Sequence, residues 1–386
     1  MLKKYDYASV ISVGFIIISL LLPDFIHFKE TRISLAEAVS ARACMGDWFL
    51  LYVLLAVVLL IFSITKKKRP LLNFAAGLYS AFCLVSLVYL VAMSVGKLNQ
   101  GQGGRFSFGV GFIIALIALY SVILKCGQYM EKNWMRAVTG LLVWGVLCIM
   151  LICGTLNTYS VMQEYYAQKS QFFSNVAAHM KLSFSALGVA VLAGIPIGYI
   201  CYKNAKVDKV TIASLSIVET MPQMALFAVI RIPFVFLSNA FPVLKENGFG
   251  GYGFAPAFTA LFLYGLYLVI HNVRAAFRIV DDKLIENAYA MGMTSGDVFW
   301  KVQIPSALPY ILNGIRIAMI STIVGASLSS YVGAAGLGVY IVNGVNALAI
   351  DLQLLGIIPI FIITIVSDFI MGRLIRLILP KGVEVS

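Results

Sequence analysis

Long, almost uninterrupted runs of apolar residues dominate the chain, and short polar stretches separate them. A helix of about 20 apolar residues crosses the roughly 30 Å hydrocarbon core of a bilayer. Ten runs come close to this length or exceed it, so the pattern predicts about ten transmembrane helices. The predicted spans are Ala8–Pro23, Trp48–Thr65, Leu71–Gly96, Phe106–Leu124, Trp134–Gly154, Val176–Tyr202, Val210–Ile232, Phe254–Asn272, Leu308–Val332 and Leu352–Met371.

The seventh run differs from the others because it contains Glu219, Pro222 and Arg231. An acidic side chain at the centre of a spanning helix costs about 3 kcal/mol on insertion scales. We therefore predict a broken or cavity-lining helix here and not a lipid-facing rod.

Composition agrees with a membrane protein. Of the 386 residues, 61% are hydrophobic and 12% are charged, whereas soluble domains carry about 25% charged residues. Most Lys and Arg residues fall on one side of the predicted spans, which by the positive-inside rule places both termini in the cytoplasm. The net charge of +12 is thus explained by topology and attraction to anionic lipid, and it does not argue for nucleic acid.

Polar residues divide the chain into parts. Residues 1–155 form a five-span extension with few polar groups inside the spans, and residues 156–175 read as an external amphipathic connector. Residues 176–386 bring prolines, glycines and charges into the membrane, where pathways place them. The six cysteines have no metal or disulfide spacing; one bridge, Cys44 to Cys153, stays open.

A charged cytoplasmic loop, residues 274–305, is too long and too patterned for a simple hairpin. Gly292 allows a tight turn, and Thr294 with Asp297 forms a capping-box start for a short helix. That helix presents Phe299 and Trp300 before Pro305 ends it. Such a helix could dock in the groove of another protein or lie on the lipid headgroups, and the physical pattern alone does not distinguish between these two roles.

Part of this loop resembles a known motif. Glu286, Ala288 and Gly292, followed after nine residues by Val302-Gln303-Ile304-Pro305, resemble the EAA loop of ABC importer permeases, with Asn287 where Ala is common. We call residues 274–305 the EAA loop. The resemblance implies a coupling helix that docks in a cleft of an ATP-binding subunit. The coupling residues that it implies are Glu286, Ala288, Gly292, Thr294, Asp297, Phe299, Trp300, Ile304 and Pro305.

Flanking segments narrow the resemblance. ETMPQMAL from Glu219, the stretch from Gly292 to Ala318 and VGAAGLG from Val332 are similar to osmoprotectant permeases for glycine betaine, carnitine or choline. The similarity covers about residues 172 to 380. It implies an all-α polytopic fold with a type I ABC permease core in the last five spans. Glu219 stands where those permeases tend to have Gln, and the first five spans are an addition.

The same resemblance implies the partners. It implies a dimer of ATP-binding subunits that holds ATP and magnesium, a second permease subunit, the same or paralogous, an external solute-binding protein, and a prokaryotic plasma membrane. The chain contains no G-x-x-x-x-G-K-[ST] phosphate loop. With three histidines and no catalytic or metal motif, the sequence predicts a transport subunit without bound cofactor or metal and not an enzyme.

Polar residues in the last spans are candidates for a translocation path. Glu219 could attract a cationic quaternary ammonium group, or it could pair with a base such as Arg316; Asp368 is expected to pair with Arg373. Two other functions stay open: a permease for another small solute such as an amino acid, and an ion-coupled secondary transporter that uses Glu219. A non-transporting scaffold fits only the first five spans. The path candidates are Glu219, Pro222, Gln223, Asn313, Arg316, Ser327 and Ser329.

Overall fold

The computed structural model describes residues 7–30, 36–63, 69–98, 104–246 and 248–378. The chain forms two compact units, Met1–Ala167 and Gln168–Ser386. The last residues of the predicted connector, 169–175, belong to a long helix of the second unit and not to a separate element.

The first unit is built from apolar helices and a small sheet. Helix α4 (Pro70–Leu98) packs against α5 (Val110–Gln128), and α1 (Tyr7–Leu21) packs on α5. Buried Phe112, Leu87 and Val13 fill the space between these helices. The helices are α1 Tyr7–Leu21, α2 Ala41–Met45, α3 Trp48–Ser63, α4 Pro70–Leu98, α5 Val110–Gln128, α6 Asn133–Ile152 and α7 Ser160–Ala167, with a 3₁₀ turn at Thr155–Thr158.

Three short strands form an antiparallel sheet that the apolar pattern did not predict. The order is β2-β1-β3, with β1 at Ile26–Lys29, β2 at Glu37–Val39 and β3 at Arg105–Phe108. The span predicted to begin at Phe106 therefore begins later, at Val110. Phe28 of β1 and Phe106 of β3 pair with ring centroids 4.6 Å apart, a cross-strand aromatic contact that stabilises sheets.

The second unit holds the remaining helices. In its core, α12 (Phe254–Ile279) packs between α8 (Lys169–Lys203) and α15 (Ile304–Gly325). The glycines of the sequence GIPIG allow this approach, because a Cβ on Gly194 would lie 2.7 Å from the Val269 Cγ1, and a Cβ on Gly198 would lie 2.8 Å from the Val273 Cβ. The helices are α8 Lys169–Lys203, α9 Ala205–Thr220, α10 Gln223–Ala240, α11 Pro242–Glu246, α12 Phe254–Ile279, α13 Asp282–Ala290, α14 Ser295–Val298, α15 Ile304–Gly325, α16 Gly338–Asn346 and α17 Ile350–Ile378.

Within the described residues, eight helical segments are long and apolar enough to cross a membrane, and two shorter apolar helices, Ser9–Leu21 and Trp48–Phe62, match the first two predicted spans. The seventh predicted span is interrupted as expected: α9 ends at Thr220, and α10 starts at Gln223. The membrane-length helix there is Gln223–Ala240 and not Val210–Ile232. Cys44 and Cys153 are free thiols, so they form no bridge.

Candidate functional site

The EAA loop connects α12 to α15 through two short helices. Asp281 starts α13, since its carboxylate accepts a hydrogen bond from the Lys283 backbone N–H at 3.0 Å. This cap satisfies one of the free N–H groups of the helix start. On α13, Glu286 is exposed, whereas Ala288 is buried and faces the protein. The small side chain in the motif therefore lies where α13 packs, and the acid lies at the surface.

Gly292 makes the turn that ends α13. Its φ is +83°, a left-handed conformation that glycine adopts without strain. The Met293 N–H donates to the Ala288 carbonyl at 3.2 Å, and the Gly292 N–H donates to Tyr289 at 2.9 Å. This pair of bonds is the Schellman motif of helix ends. The turn predicted at Gly292 is present, and its geometry explains why glycine occupies this position.

Thr294 begins the second helix. The Asp297 backbone N–H donates to the Thr294 hydroxyl oxygen at 3.3 Å, and that hydroxyl donates to the Asp297 carboxylate at 2.6 Å. The Asp297 carboxylate also pairs with the Lys301 Nζ at 2.6 Å. Asp297 lies at the exposed, polar start of this helix. The hydrogen bond from Lys301, followed by that from Thr294, lowers the pKa of Asp297 to about 2.

Pro305 does not stop the helix, contrary to the sequence prediction. The chain passes from α14 through a π-helical turn at Phe299–Gln303 directly into α15, and Pro305 lies in the first turn of α15. The Ile304 N–H donates to the Phe299 carbonyl, five residues back. Pro305 has no N–H to donate, and the wider π turn just before it accommodates the proline without ending the helical path.

The two aromatic residues of the loop have different environments. The Phe299 ring packs inward, with its centroid 4.8 Å from that of Tyr199 and 6.5 Å from that of Phe277. Phe277 is fully buried, and Tyr202 stacks on it at 5.5 Å. Trp300 is 68% exposed. The sequence grouped Phe299 and Trp300 as one apolar tip, but in this structure Phe299 anchors the loop to its own unit.

An exposed apolar surface remains on the loop. Large apolar side chains that face outward are Leu284, Tyr289, Met291 and Trp300. Ile304 is half-buried and packs on the same cluster as Phe299. The loop is thus held from beneath by aromatic contacts and presents a second set of apolar side chains outward.

The path candidates do not converge on one site. Glu219, at the end of α9, is exposed and interacts with Tyr267. Pro222 precedes α10, and the Gln223 amide packs on Gly325, since a Cβ there would lie 2.9 Å from the Gln223 Nε2.

Arg316 pairs with Asp368 and not with Glu219. The Arg316 Nε and Nη2 donate to the two carboxylate oxygens of Asp368 at 2.5 and 2.6 Å. This two-point pair links α15 to α17. The Arg373 guanidinium lies 5.1 Å from the Phe369 ring centroid, so the predicted pair of Asp368 with Arg373 is also wrong.

The remaining candidates lie on or next to α15. Asn313 is half-buried, one helical turn before Arg316. The Ser327 hydroxyl donates to the Val324 carbonyl at 2.7 Å, and the Ser329 hydroxyl donates to Ala326 at 2.7 Å. Both hydroxyls therefore complete the backbone bonds of the 3₁₀ segment Ala326–Val332.

Sequence reasoning missed two groups beside the EAA loop. One is the aromatic cluster that receives Phe299. The other is the contact of Asp208 with Arg274 and Arg278. The two arginines are four residues apart and so share a helix face, but no local signal connects them to an acid more than sixty positions away.

Comparison with known proteins gives matches over both units. The family described as binding-protein-dependent transport system inner membrane component matches residues 190–381. The family described as the N-terminal domain of the ABC transporter permease YehY matches residues 6–162. The first five predicted spans are therefore also a known domain.

Individual relatives agree. The carnitine transport permease protein OpuCB of Listeria monocytogenes is 35% identical over 206 residues, which are 53% of this chain and 87% of the relative. The osmoprotectant import permease protein OsmW of Salmonella typhimurium is 30% identical over 210 residues, 53% of this chain and 91% of the relative. A solved inward-facing structure of the MetNI methionine ABC transporter covers 55% of this chain and 99% of its own, with 20% identity and a TM-score of 0.48. The chain belongs to the family of binding-protein-dependent transport system inner membrane components, and it is a multi-pass permease of the ABC transporter class.

Proposed function

We propose that this permease imports an osmoprotectant, a small solute such as carnitine, glycine betaine or choline. Two relatives named above, OpuCB and OsmW, carry such substrates in their descriptions. The similarity of the segments from Glu219, Gly292 and Val332 supports the same assignment. These relatives give no support to an ion-coupled secondary transporter.

The observation that carries the coupling role is the geometry of the EAA loop. Tyr289, Met291 and Trp300 are exposed on a loop whose turns are fixed by Gly292 and by the Thr294 cap. Exposed aromatic and Met side chains on a rigid support are typical of protein interfaces. In this proposal they enter a cleft of an ATP-binding subunit, and Phe299 holds the loop in place from below.

The proposed cycle is alternating access. A second permease subunit completes the path, a separate subunit pair binds ATP and magnesium, and an external binding protein delivers the solute. ATP binding draws two EAA loops together, and the attached helices rock between two arrangements. This arrangement requires the EAA loop and both termini on the cytoplasmic side of the plasma membrane, as the positive-inside rule predicts.

Among the path candidates, Glu219 and Gln223 lie on either side of the break between α9 and α10. Arg316 pairs with Asp368, so Glu219 is not the structural partner of Arg316. We propose that Glu219 attracts the cationic group of the solute at this break. In Glu219→Gln, uptake of choline should then fall more than uptake of glycine betaine, because choline carries the cationic group and no carboxylate. Uptake of both solutes at the unaltered rate would contradict this role.

The test of the function is ATP hydrolysis by the complete reconstituted assembly in lipid vesicles. Carnitine, glycine betaine or choline, supplied with the binding protein, should stimulate hydrolysis, and methionine serves as the control solute. Stimulation by methionine alone, or hydrolysis that no solute changes, would overturn the substrate assignment. Failure of an ATP-binding subunit to remain bound to the permease would overturn the coupling role.

A further inference from the structure

A partly exposed ion cluster joins α9 to the end of α12. The Asp208 carboxylate accepts one hydrogen bond from the Arg274 Nη1 at 2.9 Å and one from the Arg278 Nη2 at 2.8 Å. The Asp208 and Arg274 side chains are 15% and 19% exposed, whereas the Arg278 side chain is 49% exposed, so the pair with Arg274 is the better shielded of the two. Charge-assisted bonds are stronger than neutral ones, and partly buried pairs are screened less by salt. The cluster is therefore a firmer link than an ordinary surface ion pair.

Asp208 lies on α9, a helix with extended residues at both ends. Helix α9 is bounded by Asn204 (φ −130°, ψ 106°) on one side and by Met221 and Pro222 (ψ 132° and 135°) on the other. These extended residues interrupt the helical path at both ends of α9. A few residues at the ends of an element are sufficient to absorb a hinge motion. Much of α9 also faces outward, including Val210, which is 68% exposed.

The cluster adds an ionic contact to the apolar packing of α9 on α12. Arg274 and Arg278 occupy the last turns of α12, which are the first residues of the EAA loop. The far end of α9 carries Glu219 and leads into the break at residues 221–222. We propose that Asp208 is a positioning residue that ties α9 to the EAA loop, so that movement of the loop also moves the break. This inference rests on the coupling role proposed above.

A simpler reading is that Asp208 only stabilises the start of α9. An acid in the first turn interacts favourably with the helix dipole, and Asp208 is in that turn. This reading explains the acid, but it does not explain why two arginines of another helix converge on it. The two readings differ in what they affect: a stabilising acid changes how much permease folds, whereas a tie changes how much solute moves for each ATP hydrolysed.

The experiment measures solute uptake and ATP hydrolysis by the whole assembly in vesicles, with glycine betaine as the probe. Asp208→Asn keeps the size of the side chain and removes its charge. We expect the ratio of solute moved to ATP hydrolysed to fall about five-fold or more, the lower end of measured couplings between sites. The exposed neighbour variant Lys209→Gln is the matched control and should keep the ratio. Arg274→Gln with Arg278→Gln should lower the ratio equally, and adding Asp208→Asn should cause no further loss.

A second readout does not need transport. Spin labels at Val210 on α9 and at Ile279 in the last turn of α12, both exposed, report whether the two helices move together when ATP is trapped on the ATP-binding subunit. We expect the distance between the labels to stay constant in the parent chain and to change in Asp208→Asn.

The outcomes separate the two proposals. An unchanged ratio of solute moved to ATP hydrolysed in Asp208→Asn, or a loss explained wholly by less folded permease, would overturn the proposal that Asp208 links α9 to the EAA loop. If no solute stimulates the parent assembly, the substrate assignment fails, and the label distances still decide whether Asp208 links α9 to the loop. Identical label distances in the parent and in Asp208→Asn would then contradict the inference.

Discussion

The different environments of Phe299 and Trp300 lead to opposite expectations for two neighbouring alanine variants. Phe299 packs against Tyr199 and Phe277 inside its own unit, whereas Trp300 is 68% exposed. Phe299→Ala should therefore loosen the EAA loop. Trp300→Ala should leave the loop intact and weaken its contact with the ATP-binding subunit.

The size of the Phe299 effect follows from its burial. Truncation of a fully buried Phe costs about 3–5 kcal/mol, and Phe299 is half-buried, so we expect about 2 kcal/mol. Two aromatic contacts at about 0.5–1.5 kcal/mol each lead to a similar value. A loss of about 2 kcal/mol in the local opening free energy accelerates exchange of the amides that open about 30-fold.

Hydrogen exchange of peptides from residues 282–303, measured on the purified permease, tests whether Phe299→Ala loosens the loop. Binding of the ATP-binding subunit to the same variants tests whether Trp300 is an interface residue. Loss of an interface tryptophan should weaken the affinity at least about 30-fold. Faster exchange in Trp300→Ala together with unchanged exchange in Phe299→Ala would refute the assignment of Phe299 as the anchor of the loop and Trp300 as its contact with the ATP-binding subunit.

Three further predictions concern single positions. Gly292→Val places a β-branched side chain at φ +83°, which costs at least about 1–2 kcal/mol, and it should lower uptake more than ATP hydrolysis, with Gly292→Asn milder; normal uptake by Gly292→Val would contradict the role of the turn. Glu164→Gln removes the charge from a carboxylate that is 1% exposed and paired with Arg105. It should lower the stability of the first unit by about 3–5 kcal/mol, and an unchanged thermal midpoint would show that this pair is dispensable. The lowered pKa of Asp297, about 2, means that its carboxylate contributes stability above the unfolded value near 3.8, and that this contribution is lost only as pH falls towards 2. Exchange of residues 294–303, corrected for the intrinsic pH dependence of exchange, should therefore be constant between about pH 5 and pH 8 in the parent chain; a clear change in that window would mean that another group controls the cap.

Local patterns were sufficient to predict most of the spans, the turn at Gly292 and the cap at Thr294. An apolar run of membrane length has few alternatives to a helix, and Gly292 and Thr294 act on backbone groups within five residues of themselves. The break in the seventh run was predicted from its own residues as well, since an acidic side chain such as Glu219 is costly inside a spanning helix. These features are set by neighbours in sequence, so the sequence contains the necessary information.

Contacts between distant residues were not predictable in this way. No spacing rule assigns Arg316 to Asp368, 52 positions away, in preference to Glu219, and both carboxylates satisfied the general expectation of a paired intramembrane charge. The inward turn of Phe299 depends on Tyr199 and Phe277, which come from two other helices. The short sheet was missed because its strands have three or four residues each, too few for an alternating pattern to be distinct from a loop.

The two ends of the EAA loop are joined to the protein in different ways, and this difference decides how a displacement spreads. On the C-terminal side, the helical path runs from Ser295 through the π turn into α15 with no extended residue between them, so a push on Trp300 enters α15 directly. On the N-terminal side, Val280 and Asp281 have ψ values near 124°, and this joint separates α13 from α12. A displacement of α14 therefore passes to α15 and not to α12. The Asp208 cluster lies before that joint, where it joins α9 to the last turns of α12 and so to the first residues of the EAA loop; α9 is therefore expected to follow α12.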